Sequence, residues 1–307
     1  MKKIISFLLL ACLVLSLAAC GGPAEKDYNL AVGMEVSGAT GESSNGKISA
    51  TVAVVVTDAD GKIVSCRIDT LEHKVYNGEA LNLTVGKSKM ELGDDYGMAT
   101  APKGNWYKQA QFFETYVAGK TEAEVSVITA EDEGLKAGCT MASSIPAFVG
   151  ATVKALKSAT KVAFKTAAES FTVGAKLSAA AKDATKEDDL DKTVTLTYDV
   201  AGVVMADNKV AAAILDTAET NTTVAENDGA LTATAFAFNA TKREQGDNYD
   251  MPAGNWFTQA DAYAGATVGM TVSDIASLAT EGIAGCTMKH TVFTYKANLE
   301  AAAKAAR

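Results

Sequence analysis

Histidine is nearly missing from this chain: 307 residues hold two, His73 and His290. They do not fall at matching places in the internal repeat described below. A histidine-based catalytic pair shared by both copies is therefore excluded. No C-x-x-C, H-E-x-x-H or Gly-rich phosphate loop occurs, so the usual sequence signs of a thiol redox centre, a zinc hydrolase or a nucleotide site are lacking. Cysteines number five. With Cys12 and Cys20 of the N-terminal segment set aside, Cys66, Cys139 and Cys286 remain, and an odd number builds no disulfide framework. A Cys66–Cys139 bridge stays open beside the plainer alternative of buried apolar thiols. Positive charge is also short. Against 37 acidic residues stand 28 Lys and Arg, a formal net charge of −9 that argues against nucleic acid or an anionic membrane surface as partner.

Only one long apolar run is present, Ile4–Leu17, preceded by Lys2 and Lys3 and closed by L-A-A-C at Leu17–Cys20. It is shorter than the ~20 residues of a spanning helix and reads as a secretory signal sequence. The small residues before Cys20, with Gly21 and Gly22 after it, resemble a bacterial lipobox. That resemblance implies a signal peptide at 1–19, cleavage before Cys20 and a diacylglyceryl thioether on its sulfur. An ordinary signal peptide with a chance cysteine and a short membrane helix are the alternatives. The expectation is a chain on the extracytoplasmic face of the bacterial cell membrane, lipid-anchored through a short tether at 20–27. The hydrophobic fraction, 48%, is ample for a folded core behind it.

What is there in abundance is repetition. Lys89–Met98 reads K-M-E-L-G-D-D-Y-G-M and returns as K-R-E-Q-G-D-N-Y-D-M at Lys242–Met251. G-N-W-Y-K-Q-A at Gly104–Ala110 returns as G-N-W-F-T-Q-A at Gly254–Ala260, and A-G-C-T-M at Ala137–Met141 returns unchanged at Ala284–Met288. A period this long suits two copies of a whole domain, here bounded at 28–165 and 166–307, rather than a solenoid. In each copy a β-branched hairpin comes first: Lys47–Thr57, a D-A-D-G turn and Lys62–Thr70, then Lys192–Met205 and Val210–Thr217. Val64, Cys66 and Ile68 are expected on one face, with Asp69 and Asp216 near equivalent strand ends. Less regular stretches follow at Leu71–Leu83 and Ala218–Asp228, then a strand over Leu231–Phe238. The G-D-x-Y-x-M blocks read as loops. Trp106–Ala118 carries a helical apolar stripe ended by Gly119, and Thr121-x-x-Glu124 and Thr271-x-x-Asp274 are capping boxes. A last helix, with Pro146 in its first turn, has its partner running from Thr291 through Leu299 into a frayed alanine-rich tail. The fold class expected is α+β: two tandem copies of a domain with an antiparallel sheet and helices packed on it.

Candidate site residues are few. Gly138 and Thr140, with Gly285 and Thr287, stand before a helix whose free N–H groups favour an anion such as a phosphate. The plainer reading is that the threonines turn the chain into the helix. Asp94 and Asp247 lie between a glycine and a tyrosine, where an acid orders a loop or meets a ligand. The order of hairpin, helices and a small-residue motif opening a last helix resembles the FMN-binding domain of redox-pump subunits and surface electron-transfer lipoproteins. That resemblance implies FMN as cofactor, carried as a phosphoester on Thr140 or Thr287, with a flavin transferase and a redox partner. The motif's leading Ser is Ala137 and Ala284 here, and its Ala is Cys139 and Cys286. The acid six residues before the threonine is Gly134 in one copy and Glu281 in the other. Ser37-Gly38-Ala39-Thr40 spells the flavin motif, yet precedes strands, so Thr40 is a minor candidate. The whole chain also resembles tandem-repeat lipoproteins of anaerobic Gram-positive bacteria. A flavin carrier and a non-catalytic ligand-binding or envelope lipoprotein are the two functions left, either one a carrier or binder rather than a hydrolase or transferase.

Overall fold

The computed structural model describes residues 24–167, 170–187, 189–289 and 292–307. The expected signal segment 1–19, Cys20 and His290 lie outside the described residues. Strands β1 (Lys26–Gly38), β2 (Lys47–Asp58) and β3 (Ile63–Lys74) form an antiparallel meander. The D-A-D-G turn closes because Asp58 Oδ1 accepts the N–H groups of Asp60 and Lys62 at 3.0 and 2.9 Å, and Gly61 takes φ +76°. A small hairpin, β4 (Tyr76–Asn77) with β5 (Ala80–Leu81), follows. Then come α1 (Lys89–Leu92), α2 (Trp106–Val117), α3 (Glu122–Ser126), α4 (Glu133–Lys136) and α5 (Ile145–Lys157). Strand β6 (Val162–Thr166) returns to the free edge of β1, giving the order β3-β2-β1-β6.

The second half carries another four-stranded antiparallel sheet covered by helices. Strands β7 (Thr172–Asp183), β8 (Lys192–Ala206), β9 (Lys209–Asn227) and β10 (Ala230–Ala237) make a sheet of order β10-β9-β8-β7. Helices α6 (Lys242–Gln245), α7 (Trp256–Gly265), α8 (Val272–Ile275) and α9 (Val292–Lys304) cover it. The chain is thus mixed α+β with antiparallel sheets.

Each sheet is buried on both faces, which explains why β2 and β8 read as nearly unbroken apolar runs rather than as alternating strands. Ile48, Ala50, Val52, Val54 and Val56 face one way and meet Val194, Leu196, Tyr198, Val200 and Val204 of the other sheet in a shared core. Ala53, Val55, Cys66 and Ile68 face the opposite way, under Trp106, Phe113 and Phe148. Ala201, Val203 and Leu215 do the same under Trp256, Tyr263 and Tyr295. The layers therefore run helices, sheet, sheet, helices. Gly33 lets α5 lie directly on β1, because a Cβ there would collide with the backbone of Ala151 and Ala155.

Several expectations are corrected. Val64 does not share the face of Cys66 and Ile68. It is the extra residue of a β-bulge between Val56 and Thr57, so it is 42% exposed while Ile63 takes the inner place. Strand β9 does not lose order after Thr217 but continues to Asn227 and turns through Asp228 and Gly229, both at positive φ, into β10. Asp69 and Asp216 accordingly sit inside strands, not at their ends, and are 4% and 1% exposed. The G-D-x-Y-x-M blocks are not plain loops. Ser88 and Thr241 open capping boxes with Glu91 and Glu244, giving one helical turn each, and a 3-10 turn follows. Nor does the tail fray. Arg307 exchanges backbone hydrogen bonds with Val173, at 3.3 and 3.4 Å, and its guanidinium reaches Glu114 at 3.0 Å. A carboxylate only 5% exposed requires such partners.

Candidate functional site

The repeated blocks meet around the glutamine of W-x-x-Q-A, whose role the sequence pattern does not reveal. Gln109 and Gln259 are 0% and 1% exposed. Gln109 Oε1 accepts the Thr140 N–H at 2.8 Å and its Nε2 donates to Gly104 O at 2.8 Å. Gln259 does the same with Thr287 N–H at 2.9 Å and Gly254 O at 3.0 Å, and also accepts from the Thr287 hydroxyl at 2.9 Å. One buried amide thus ties the Gly-Cys-Thr segment to the loop that opens the tryptophan helix.

These bonds bear directly on the flavin expectation. The Thr140 and Thr287 amides are already satisfied, and both threonines are exposed on loops rather than on a helix end, α5 beginning only at Ile145. Gly138 is explained by packing, since a Cβ there would collide with the Phe112 ring. Gly285 is explained by its φ of +80°. Asp94 and Asp247, both exposed, accept hydrogen bonds from Asn105 and Asn255, the residues that precede α2 and α7. They order the loop. Thr40 is exposed on the β1–β2 connection, where the Gly41 N–H donates to Ala233 O of β10 at 2.8 Å. The three cysteines are free, with Cys66 and Cys139 buried. Burial pushes both thiols above their usual range.

The structure brings a second repeated set together. Lys89, 7% exposed, puts its ammonium 2.9 Å from Glu72 Oε1 and 4.8 Å from the centre of the Tyr96 ring. Lys242 stands 2.8 Å from Glu219 and 4.9 Å from the Tyr249 ring. Burial alone would lower the Lys242 pKa, but the hydrogen bond and charge of Glu219 carry it above the usual value. Glu72 is held low against its own burial by Lys89 and Lys47, the latter at 3.0 Å. Beneath the lysines, Asp69 accepts the N–H groups of Met90 and Thr70 at 3.0 and 2.7 Å. Asp216 accepts those of Arg243 and Thr217 at the same two distances. Burial raises both carboxyls to about 6. The first letter of each K-x-E block was the signal for the lysines. Their glutamates sit on a strand far away in sequence.

In the first half these groups line a cleft of about 900 Å³ at one end of the helical face of the sheet. All three repeated blocks contribute: Lys89, Tyr96 and Met98 from the first, Trp106 and Gln109 from the second, Thr140 and Met141 from the third. Ser37, Ser49, Thr51 and Thr70 add hydroxyls, with Thr51 and Thr70 hydrogen-bonded at 2.9 Å. The second half differs at the equivalent place. Asp199 stands for Thr51 and Tyr295 for Phe148, and Thr217 joins them at 2.6 and 3.0 Å. Lys242 and Tyr249 there border two smaller hollows, of about 520 and 530 Å³. A further depression of about 920 Å³ lies by the β8–β9 turn and α9 and contains no residue of the repeated blocks. Among the described residues no group of His, Cys, Asp and Glu could hold a metal ion, and no helix is long and apolar enough to cross a membrane. No protein-family model matches the chain, and neither a curated protein nor a solved structure matches it.

Proposed function

We propose that the chain is a non-catalytic binding protein, held by a lipid on Cys20 at the extracytoplasmic face of the membrane. It comprises two copies of one α+β unit, 28–165 and 166–307, joined sheet to sheet. The first copy takes a small ligand in its cleft; the second serves mainly as scaffold. One observation carries this reading: the three repeated blocks converge on the cleft, so the residues that define the repeat also form its wall. A volume of about 900 Å³ lies within the usual range of ligand sites. The test is a thermal-shift screen of small polar molecules on the mature chain and on an Ala142→Trp variant. Ala142 is exposed on the cleft rim, so the indole fills the opening without disturbing the core. A hit that stabilises the parent chain and not the variant supports the reading. Hits of equal size on both proteins overturn it.

A flavin carrier is the second reading, supported by the exposed Thr140 on the rim of a cleft walled by Tyr96 and Trp106. Production beside a flavin transferase then yields yellow protein with an FMN-sized mass increment on the Thr140 peptide. A colourless product without the increment, and without binding of added FMN, excludes it.

A further inference from the structure

We infer that the first-half cleft selects an organic anion rich in hydroxyl groups, of the sugar-acid class, and that Lys89 reads its carboxylate. The inference rests on the binding-protein reading above. Charge comes first. Among the described residues, the charged ones lining the cleft are Lys47, Lys89 and Glu72, and the one glutamate is shared by both lysines. One positive charge is left over, inside a molecule whose formal net charge is −9. Lys89 is also the better placed of the two. Its side chain is 9% exposed against 44% for Lys47, so its charge is poorly screened by water and salt. An ammonium so enclosed, with a single carboxylate that it divides with another lysine, gains from a second anion.

Hydroxyls come second. Ser37, Ser49, Thr51, Thr70 and Ser143 line the same space, each able to donate and accept, which matches a ligand that carries several hydroxyls of its own. Tyr96, Trp106 and Met98 supply an apolar wall for a ring face. The second half supports the assignment by contrast. There the residue at the place of Thr51 is Asp199, 6% exposed, while Glu219, in the place of Glu72, pairs with Lys242. Two acids against one buried lysine disfavour an anion, so the selectivity belongs to the first half alone.

Isothermal titration calorimetry of the mature chain with D-glucuronate, D-glucose and D-glucosamine tests this. Glucuronate is expected to bind at least about tenfold more tightly than glucose, the scale of one charge-assisted hydrogen bond, and glucosamine more weakly still. Lys89→Met should remove that preference, Lys89→Arg should restore part of it, and Lys165→Met, on the exposed edge strand β6, should change nothing. Lys47→Met, at a surface position, should reduce the preference while the melting temperature stays put. Equal binding of glucuronate and glucose, unaffected by Lys89→Met, overturns the anion inference and leaves the binding-protein reading standing. No heat with any of the three also overturns it, and the Ala142→Trp screen then decides the broader reading separately.

Discussion

The side-chain amide of Gln109 is used at both ends, as an acceptor for Thr140 and a donor to Gly104, and the residue itself is buried. Removing it orphans a backbone N–H and a carbonyl together. A buried polar group left unpaired costs about 1–3 kcal/mol, so Gln109→Ala and Gln259→Ala should each destabilise by about 2–4 kcal/mol in urea unfolding, beyond the effect of substituting a surface glutamine. Asp69 and Asp216 make a different prediction. Their folded pKa values, about 6, lie above the ordinary carboxyl value because burial penalises the charge. The folded state therefore binds more protons than the unfolded one between roughly pH 4 and 6. Stability contributed by each carboxyl rises as pH falls through that window, by about 1 kcal/mol between pH 7 and 5. Asp69→Asn should flatten the pH dependence of the unfolding free energy there. A variant whose profile stays parallel to the parent would contradict the assignment. Glu72 and Glu91, held low by lysines against the opposing effect of burial, act only at more acidic pH.

At the level of the element, what could be read in the sequence follows from locality. The two hairpins, the tryptophan helix and the capping boxes at Thr121 and Thr271 depend on neighbours a few residues away, and they stand where the pattern puts them. The capping boxes at Ser88 and Thr241 were equally local, in S-K-M-E and T-K-R-E, and were hidden by the turn-forming glycine and aspartate that follow. The bulge at Val64 was not legible, because its cause is tertiary. Ile63 is bound from outside its own sheet, donating to Lys120 O at 3.0 Å and accepting from Gly119 N–H at 2.8 Å. Val210 makes the same two bonds with Met270 and Gly269, at 2.9 and 2.8 Å. The late part of β9 is hidden in the sequence for a related reason. Its alternating threonines and asparagine look like a loop until the partner strand β10 is present. For the candidate site, the threonine of each Gly-Cys-Thr was found and its engagement by glutamine was not, since that bond spans 31 residues in one half and 28 in the other. The Ser88 cap gives an element-scale prediction. Ser88→Ala removes the cap of α1 and a hydroxyl donor to Asp69 together. The loss should exceed the ~1 kcal/mol of an ordinary cap, measurable by the same urea titration.

The whole molecule is tied across its middle by more than the shared core. Glu91, the capping acid of α1, pairs with Lys176 of β7, and Glu244, the capping acid of α6, pairs with Lys154 of α5 at 3.3 Å. Arg67 of β3 donates to Val173 O at 2.8 Å, while Arg243 of α6 donates to Thr160 O at 2.9 Å. Each half thus holds the entry strand or connecting segment of the other, and the faces of β2 and β8 that meet are apolar apart from the buried Tyr198 hydroxyl. Separating them would expose Ile48, Val52, Val54, Leu196 and Val200 together, at about 1.5–3 kcal/mol for each side chain returned to water. Neither half has a substitute for that surface. The full chain should therefore unfold in one calorimetric transition, with calorimetric and van't Hoff enthalpies in agreement. Val52→Asp, which puts a charge without a partner between the sheets, should lower the whole transition rather than split it. Two resolved transitions, with only one moved by Val52→Asp, would show instead that each sheet and its helices are stable alone. Deleting Arg307 probes the same coupling from the chain end. Glu114 would keep Arg67, 3.3 Å away, as its remaining cation. The expected loss is about 1–2 kcal/mol, less than for an isolated buried ion pair because one partner survives, and it should again shift the single transition as a whole.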